Sequence, residues 1–79
     1  MKIKVGDILR SKHDMIITVQ DDEEEQVGEG EYFAVIDYCE YKEYTKKCVG
    51  WTLLSQKRMT ISKWNEEYCS PMSDHFCKE

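Results

Sequence analysis

The stretch Tyr32-Phe33-Ala34-Val35-Ile36-Asp37-Tyr38-Cys39 constrains this chain more than any other. It is rich in aromatic and β-branched residues, which favour extended backbone. Alternate side chains of a strand point to opposite faces. That rule sets Phe33, Val35, Asp37 and Cys39 on one face and Tyr32, Ala34, Ile36 and Tyr38 on the other. Both faces are largely apolar, which predicts a strand inside a sheet rather than at its edge.

The flanking segments supply candidate neighbours. Residues 3–20 read as a β-hairpin: a turn at Val5-Gly6-Asp7, apolar runs over 8–11 and 15–19, and Lys12-His13-Asp14 as the connection. Residues 21–31 hold seven acids and two glycines, which predicts an exposed, mobile loop, because like charges this dense repel and stay out of a core. Residues 40–48 are polar with interleaved tyrosines and read as a solvent-facing hairpin or long loop. Val49 to Leu54 forms the next strand, with Trp51 and Leu53 on one side. Residues 55–58 are a polar turn and Met59-Thr60-Ile61 a short strand. Ser62 can cap a short helix over about 63–69, in which Ile61, Trp64 and Tyr68 share a face.

This tally of about five short strands and one helical turn near the C-terminus predicts a mainly all-β chain. Short strands between frequent turns suit a sandwich or a barrel. In so few residues a five-stranded SH3-like or OB-like barrel is the economical form, since closure removes exposed edges. The barrel is expected over residues 1–69 as a single domain, with 70–79 as a tail that carries Pro71 and frays.

Length and charge narrow the function classes. A chain of 79 residues has room for one core and no deep, walled active site. Sixteen acids against eleven bases give a formal charge of −5, which repels phosphate and disfavours nucleic acid. No run approaches the ~20 apolar residues that span a bilayer. The lysines at the N-terminus precede no apolar stretch of a signal peptide, so the expected location is cytoplasmic, with no membrane partner. Cysteines 39, 48, 69 and 77 are then expected as reduced thiols, with Cys39 as a small core residue.

Several constellations carry residue types that chemistry uses. Cys69, His75 and Cys77, with Cys39 or Cys48, hold ligand types that zinc accepts, but their spacing departs from paired Cys-x2–4-Cys knuckles. The expectation is therefore no metal and no cofactor. A cysteine beside His75 has the elements of a thiol nucleophile, yet lies on the expected tail, where nothing fixes its geometry. The carboxylates of 21–25 share one solvated environment, whereas acid–base catalysis needs two different ones. Gly28-Glu29-Gly30 lacks the remaining glycine of a dinucleotide loop and is flanked by acids. No enzyme is predicted.

The opening Val5-Gly6-Asp7-Ile8-Leu9, the hairpin after it and Val49-Gly50-Trp51 resemble small SH3-like barrel proteins of phages and mobile elements, over residues 3–64. That resemblance implies a protein- or nucleic-acid-binding module. Some short acidic phage proteins resemble nucleic acid in charge and block host defence nucleases, and this chain has the size and charge for such a role.

The leading expectation is a small acidic, non-enzymatic binding protein, of the kind of a phage-type inhibitor that occupies the basic, nucleic-acid-binding groove of a host defence protein. Its contact residues would be Asp21, Asp22, Glu23, Glu24, Glu25, Glu29 and Glu31, with Tyr38, Glu40, Tyr41, Glu43 and Tyr44. Acids steer a basic surface, and aromatic rings anchor it. Two alternatives stand beside it. One is a nucleic-acid-binding barrel using Lys42, Lys46, Lys47, Lys57, Arg58 and Lys63, with Trp51 or Trp64 for stacking. The other is a zinc-stapled interaction module.

Overall fold

The computed structural model describes residues 2–66 and 70–79, with Asp21 described through its backbone alone. Among them seven strands form: β1 (Ile8–Ser11), β2 (Met15–Thr18), β3 (Glu24–Val27), β4 (Tyr32–Glu43), β5 (Lys46–Ser55), β6 (Ile61–Asn65) and β7 (Phe76–Lys78). Single 3-10 turns occur at Gln20–Asp22 and Met72–Asp74. The protein is mainly β. Five strands make one antiparallel sheet in the order β6-β5-β4-β1-β7, and β2-β3 make a second. The two sheets do not close into a barrel. Between β2's end and β6 there is one bridge, Val19 to Ser62.

β4 is the middle strand, as its two apolar faces require. Its faces do not alternate throughout, however. Val35 pairs with Leu53 and Asp37 with Thr52, so Ile36 is an extra residue, a bulge. The bulge inverts the pattern beyond it. Phe33 and Val35 enter the core, but Asp37 and Cys39 do not; Tyr38 comes instead to lie across from Trp51, ring centroids 4.5 Å apart. Were Ile36 paired with Thr52 instead of bulged out, Asp37 would take the core side opposite Trp51 and bring an unpaired carboxylate with it.

The core lies between the sheets. Leu9, Phe33, Val35, Trp51 and Leu53 from the large sheet meet Ile17 and Val27 from the small one, and Met72 and Phe76 complete the cluster. Phe76 sits edge-on to both Phe33 (5.5 Å) and Trp64 (5.6 Å), the geometry that aromatic quadrupoles favour.

Four sequence expectations need correction. The 3–20 hairpin does not form: β1 has β4 on one edge and β7 on the other, so β2 finds no free edge there and pairs with β3. Residues 21–31 are not a solvated loop, since β3 runs through them and Val27 is buried. The helix over 63–69 is replaced in its first half by β6, where Trp64 pairs with Trp51 and Ser62 with Leu53. Backbone groups along β5's outer edge need partners, and a second strand meets that demand where a helix would not; residues 67–69 lie outside the described residues. Finally, residues 70–79 do not fray. β7 pairs with β1, and both Met72 and Phe76 are fully buried.

Of the two forms expected for residues 40–48, a hairpin or a long loop, the structure has the hairpin. β4 and β5 pair up to Glu43–Lys46, and Tyr44 and Thr45 turn the chain. β1 covers β4 only at Tyr32–Ala34, and β6 covers β5 only from Gly50 to Leu54. Towards the turn the two strands thus pair, as strands, with each other alone and project as an arm.

Candidate partner-binding surface

The acidic residues separate into three environments. Glu25 and Glu31 are largely buried around Arg58. The Arg58 guanidinium donates from Nη1 and Nη2 to the two Glu31 oxygens (2.6 and 3.2 Å) and contacts Glu25 Oε1 through Nε (3.2 Å). Thr60 Oγ1 donates to the other Glu25 oxygen at 2.7 Å, and the Gly28 N–H to Glu31 Oε2 at 2.5 Å. The Arg58 hydrogen bond, followed by the Gly28 N–H, holds the Glu31 carboxyl below the usual glutamate range despite its burial. Arg58 is shifted upward by the same contact. These two acids lock the β3–β4 connection against the turn after β5, and their oxygens are already engaged.

Asp22, Glu23 and Glu24 differ. All three are exposed at the outer end of the β2–β3 hairpin, and no ion pair among the described residues involves them. Glu23 lines a shallow depression with Val19, Gln20, Met59, Thr60 and Ile61. Met59, expected in a strand, lies instead in the β5–β6 connection with 67 % of its surface exposed. Asp22 (φ 57°) and Met59 (φ 58°) both adopt left-handed backbone, which costs a side-chain-bearing residue about 1 kcal/mol or more. A negatively charged rim thus borders an exposed, adaptable thioether. Sequence reasoning missed Met59, because Met-Thr-Ile reads as strand and the left-handed turn has no glycine to announce it. Glu29 is also exposed, but sits on the β3–β4 turn, where its N–H donates to Asp14 Oδ1 at 2.9 Å. The Asp21 side chain lies outside the description.

The tyrosines and their acids occupy the other end. Tyr38 donates its hydroxyl to Glu40 Oε1 at 2.7 Å, and Lys47 Nζ approaches Glu40 Oε2 at 3.3 Å. The Tyr38 hydroxyl and then Lys47 lower the Glu40 carboxyl, and the Glu40 carboxylate in turn raises the Tyr38 phenol. Tyr41 is half-buried across from Cys48, and Glu43 pairs with Lys46 next to the turn. Tyr44, at the tip, is 97 % exposed on left-handed backbone (φ 59°). Lys42, Lys46 and Lys47 are exposed on this same arm, so the arm is of mixed charge. From Lys46 to Leu54, where β5 meets Ile61 beside the acidic end, eight residues span roughly 26 Å of strand. The structure therefore does not gather the acids of 22–24 and the tyrosines of 38–44 into one patch.

The six basic candidates do not all gather either: Lys42, Lys46 and Lys47 share the arm, the other three do not. Arg58 is engaged, while Lys57 and Lys63 are exposed away from the arm lysines, on the β5–β6 turn and on β6. Neither tryptophan is a free stacking face: Trp51 is 9 % exposed beneath Tyr38, and Trp64 packs on Phe76 and His75 while its Nε1 donates to the Ser70 carbonyl. Of the thiol set, Cys69 lies outside the described residues, Cys77 is in β7 opposite Arg10, and Cys39 is exposed rather than in the core. No cluster of three or more metal-ligating side chains forms among the described residues. No helix among them is long and apolar enough to cross a membrane.

Comparison with protein-family models, with curated proteins and with solved structures finds no match to this chain.

Proposed function

We propose that this protein is a small, non-enzymatic, cytoplasmic binding protein that docks a basic surface of a protein partner, in the manner of an inhibitor that occupies a nucleic-acid-binding groove. One observation carries the reading: Asp22, Glu23 and Glu24 stand exposed and without ion pairs among the described residues, beside the exposed Met59. Their field draws a cationic surface, and Met59 supplies apolar contact once water leaves. The net charge of −5 supports the same choice of partner. Glu25 and Glu31 contribute by fixing the scaffold through Arg58.

The likeness to SH3-like barrels of phages and mobile elements belongs to this proposal. The run β7-β1-β4-β5-β6, continued through the Val19–Ser62 bridge to β2 and β3, supports it as a barrel left open on one side.

The test uses a fluorescent deca-arginine peptide as a basic probe, with association followed at two salt concentrations. The wild type binds more weakly at high salt. The triple variant Asp22→Asn/Glu23→Gln/Glu24→Gln associates more slowly, and its salt dependence is flatter. Equal rates in both proteins rule out the acidic end as the contact. A second reading, nucleic-acid binding, draws on Lys42, Lys46 and Lys47 around the exposed Tyr44. A gel shift with single- and double-stranded probes at low salt, abolished by Tyr44→Ala and lysine-to-glutamine variants, would replace the first reading by the second.

A further inference from the structure

Two histidines meet on a face the binding proposal does not use. His13, in the β1–β2 connection, and His75, just before β7, are 62 residues apart in sequence, yet His13 Nε2 lies 3.0 Å from His75 Nδ1. The rings meet edge to face with centroids 5.0 Å apart. On its other side the His13 ring is held by the Asp14 backbone carbonyl, 2.8 Å from Nδ1. A carbonyl oxygen only accepts hydrogen bonds, so Nδ1 carries the hydrogen. In the neutral ring Nε2 then presents its lone pair to His75 and accepts the hydrogen on His75 Nδ1. A backbone carbonyl on the far nitrogen is the outer-sphere contact that fixes the tautomer and orientation of metal-binding histidines. His75 is positioned as well: Trp64 packs against it at 5.2 Å, and its backbone N–H donates to the Met72 carbonyl at 3.0 Å. Lys12, next to His13, ties the β1–β2 connection to the same C-terminal turn: its ammonium donates to the Ser73 carbonyl and its backbone N–H to the His75 carbonyl.

We propose that His13 Nε2 and His75 Nδ1 are the protein ligands of a site for a late first-row divalent cation, with Zn2+ as its probe. Imidazole suits Zn2+, Cu2+ and Ni2+. Nitrogens bound at about 2.0–2.1 Å in a tetrahedron lie roughly 3.3 Å apart, so a few tenths of an ångström of opening admits the ion. The metal takes the place of the proton the two rings share. Two protein ligands leave the other positions to water, so the site is open rather than a closed structural one. Bound metal would fasten the β1–β2 connection to the C-terminal turn and clip β7 against β1.

The test is titration of Zn2+ into the reduced full chain by calorimetry, with histidine ring nitrogens followed by 15N NMR. One ion binds, the His13 Nε2 and His75 Nδ1 resonances move, and the metal raises the melting temperature. His13→Ala and His75→Ala each weaken binding by about tenfold or more. His13 is exposed and outside the core, so its variant still unfolds in one cooperative transition without metal. A Cys69→Ser/Cys77→Ser variant retains the site. The proposal is overturned if both histidine variants bind as the wild type does, or if only the cysteine variant loses the metal.

Discussion

Arg58 decides more than its single charge suggests. It faces two carboxylates on β3 and the β3–β4 connection, and those carboxylates in turn receive Thr60 and the Gly28 N–H. Removing one partner of such a network leaves the others charged and poorly solvated. Arg58→Ala is expected to lower the melting temperature clearly more than Lys57→Ala, one residue away and exposed; equal effects in thermal denaturation would refute the network's role. The pH dependence has a definite sign. Arg58 lowers the Glu31 carboxyl, and the Lys4 N–H followed by Lys78 lowers Asp7. A carboxyl lowered by folding binds fewer protons folded than unfolded, so its contribution is complete above its ordinary value and is lost as pH falls through the lower folded value. Urea midpoints should therefore fall as pH drops below about 4.5, the ordinary glutamate value, and Glu31→Gln should flatten that fall.

Among the elements, the β4 bulge has the sharpest consequence. Ile36 is exposed, and Ile36→Ala should change stability little. Deleting Ile36 removes the extra residue and leaves Asp37 opposite Thr52 and Tyr38 opposite Trp51, so it should be tolerated, whereas deleting Ile36 and Asp37 together turns Tyr38 to the outer face, sets Cys39 opposite Trp51 and should be severe. Similar denaturation midpoints for the single and the double deletion would mean that the register does not set the faces. No sequence signal marks the bulge: Ile-Asp-Tyr continues the alternation smoothly, and the extra residue is visible only once β5 supplies a register. β6 teaches the same lesson. Ile61, Trp64 and Tyr68 recur at three and four residues, but the open edge of a ten-residue β5 outweighs so short a periodicity.

For the molecule as a whole, the C-terminal residues are structural. Phe76 touches Phe33 and Trp64, and Met72 completes the cluster. Phe76→Ala should cost about 3–5 kcal/mol, comparable with the whole stability of a domain this small. A chain ending at residue 69 should lose its cooperative unfolding transition, since β1 loses an edge partner as well. A truncated chain that melts as the full one does would restore the view of 70–79 as a dispensable tail.

The sequence by itself determined the β character, the central place of β4 and the negative charge. Each follows from local alternation, side-chain branching or composition, which act over a few residues. Only the tertiary structure decided which strands pair, because the choice among edges depends on what else competes for them: β7 took the edge of β1 that β2 was expected to use. It also decided which acids remain available. Glu25 and Glu24 are neighbours in one run of carboxylates, yet Arg58, 33 residues beyond Glu25, binds one and leaves the other to solvent. His13 and His75 meet for the same reason, at a distance in sequence that no local pattern spans.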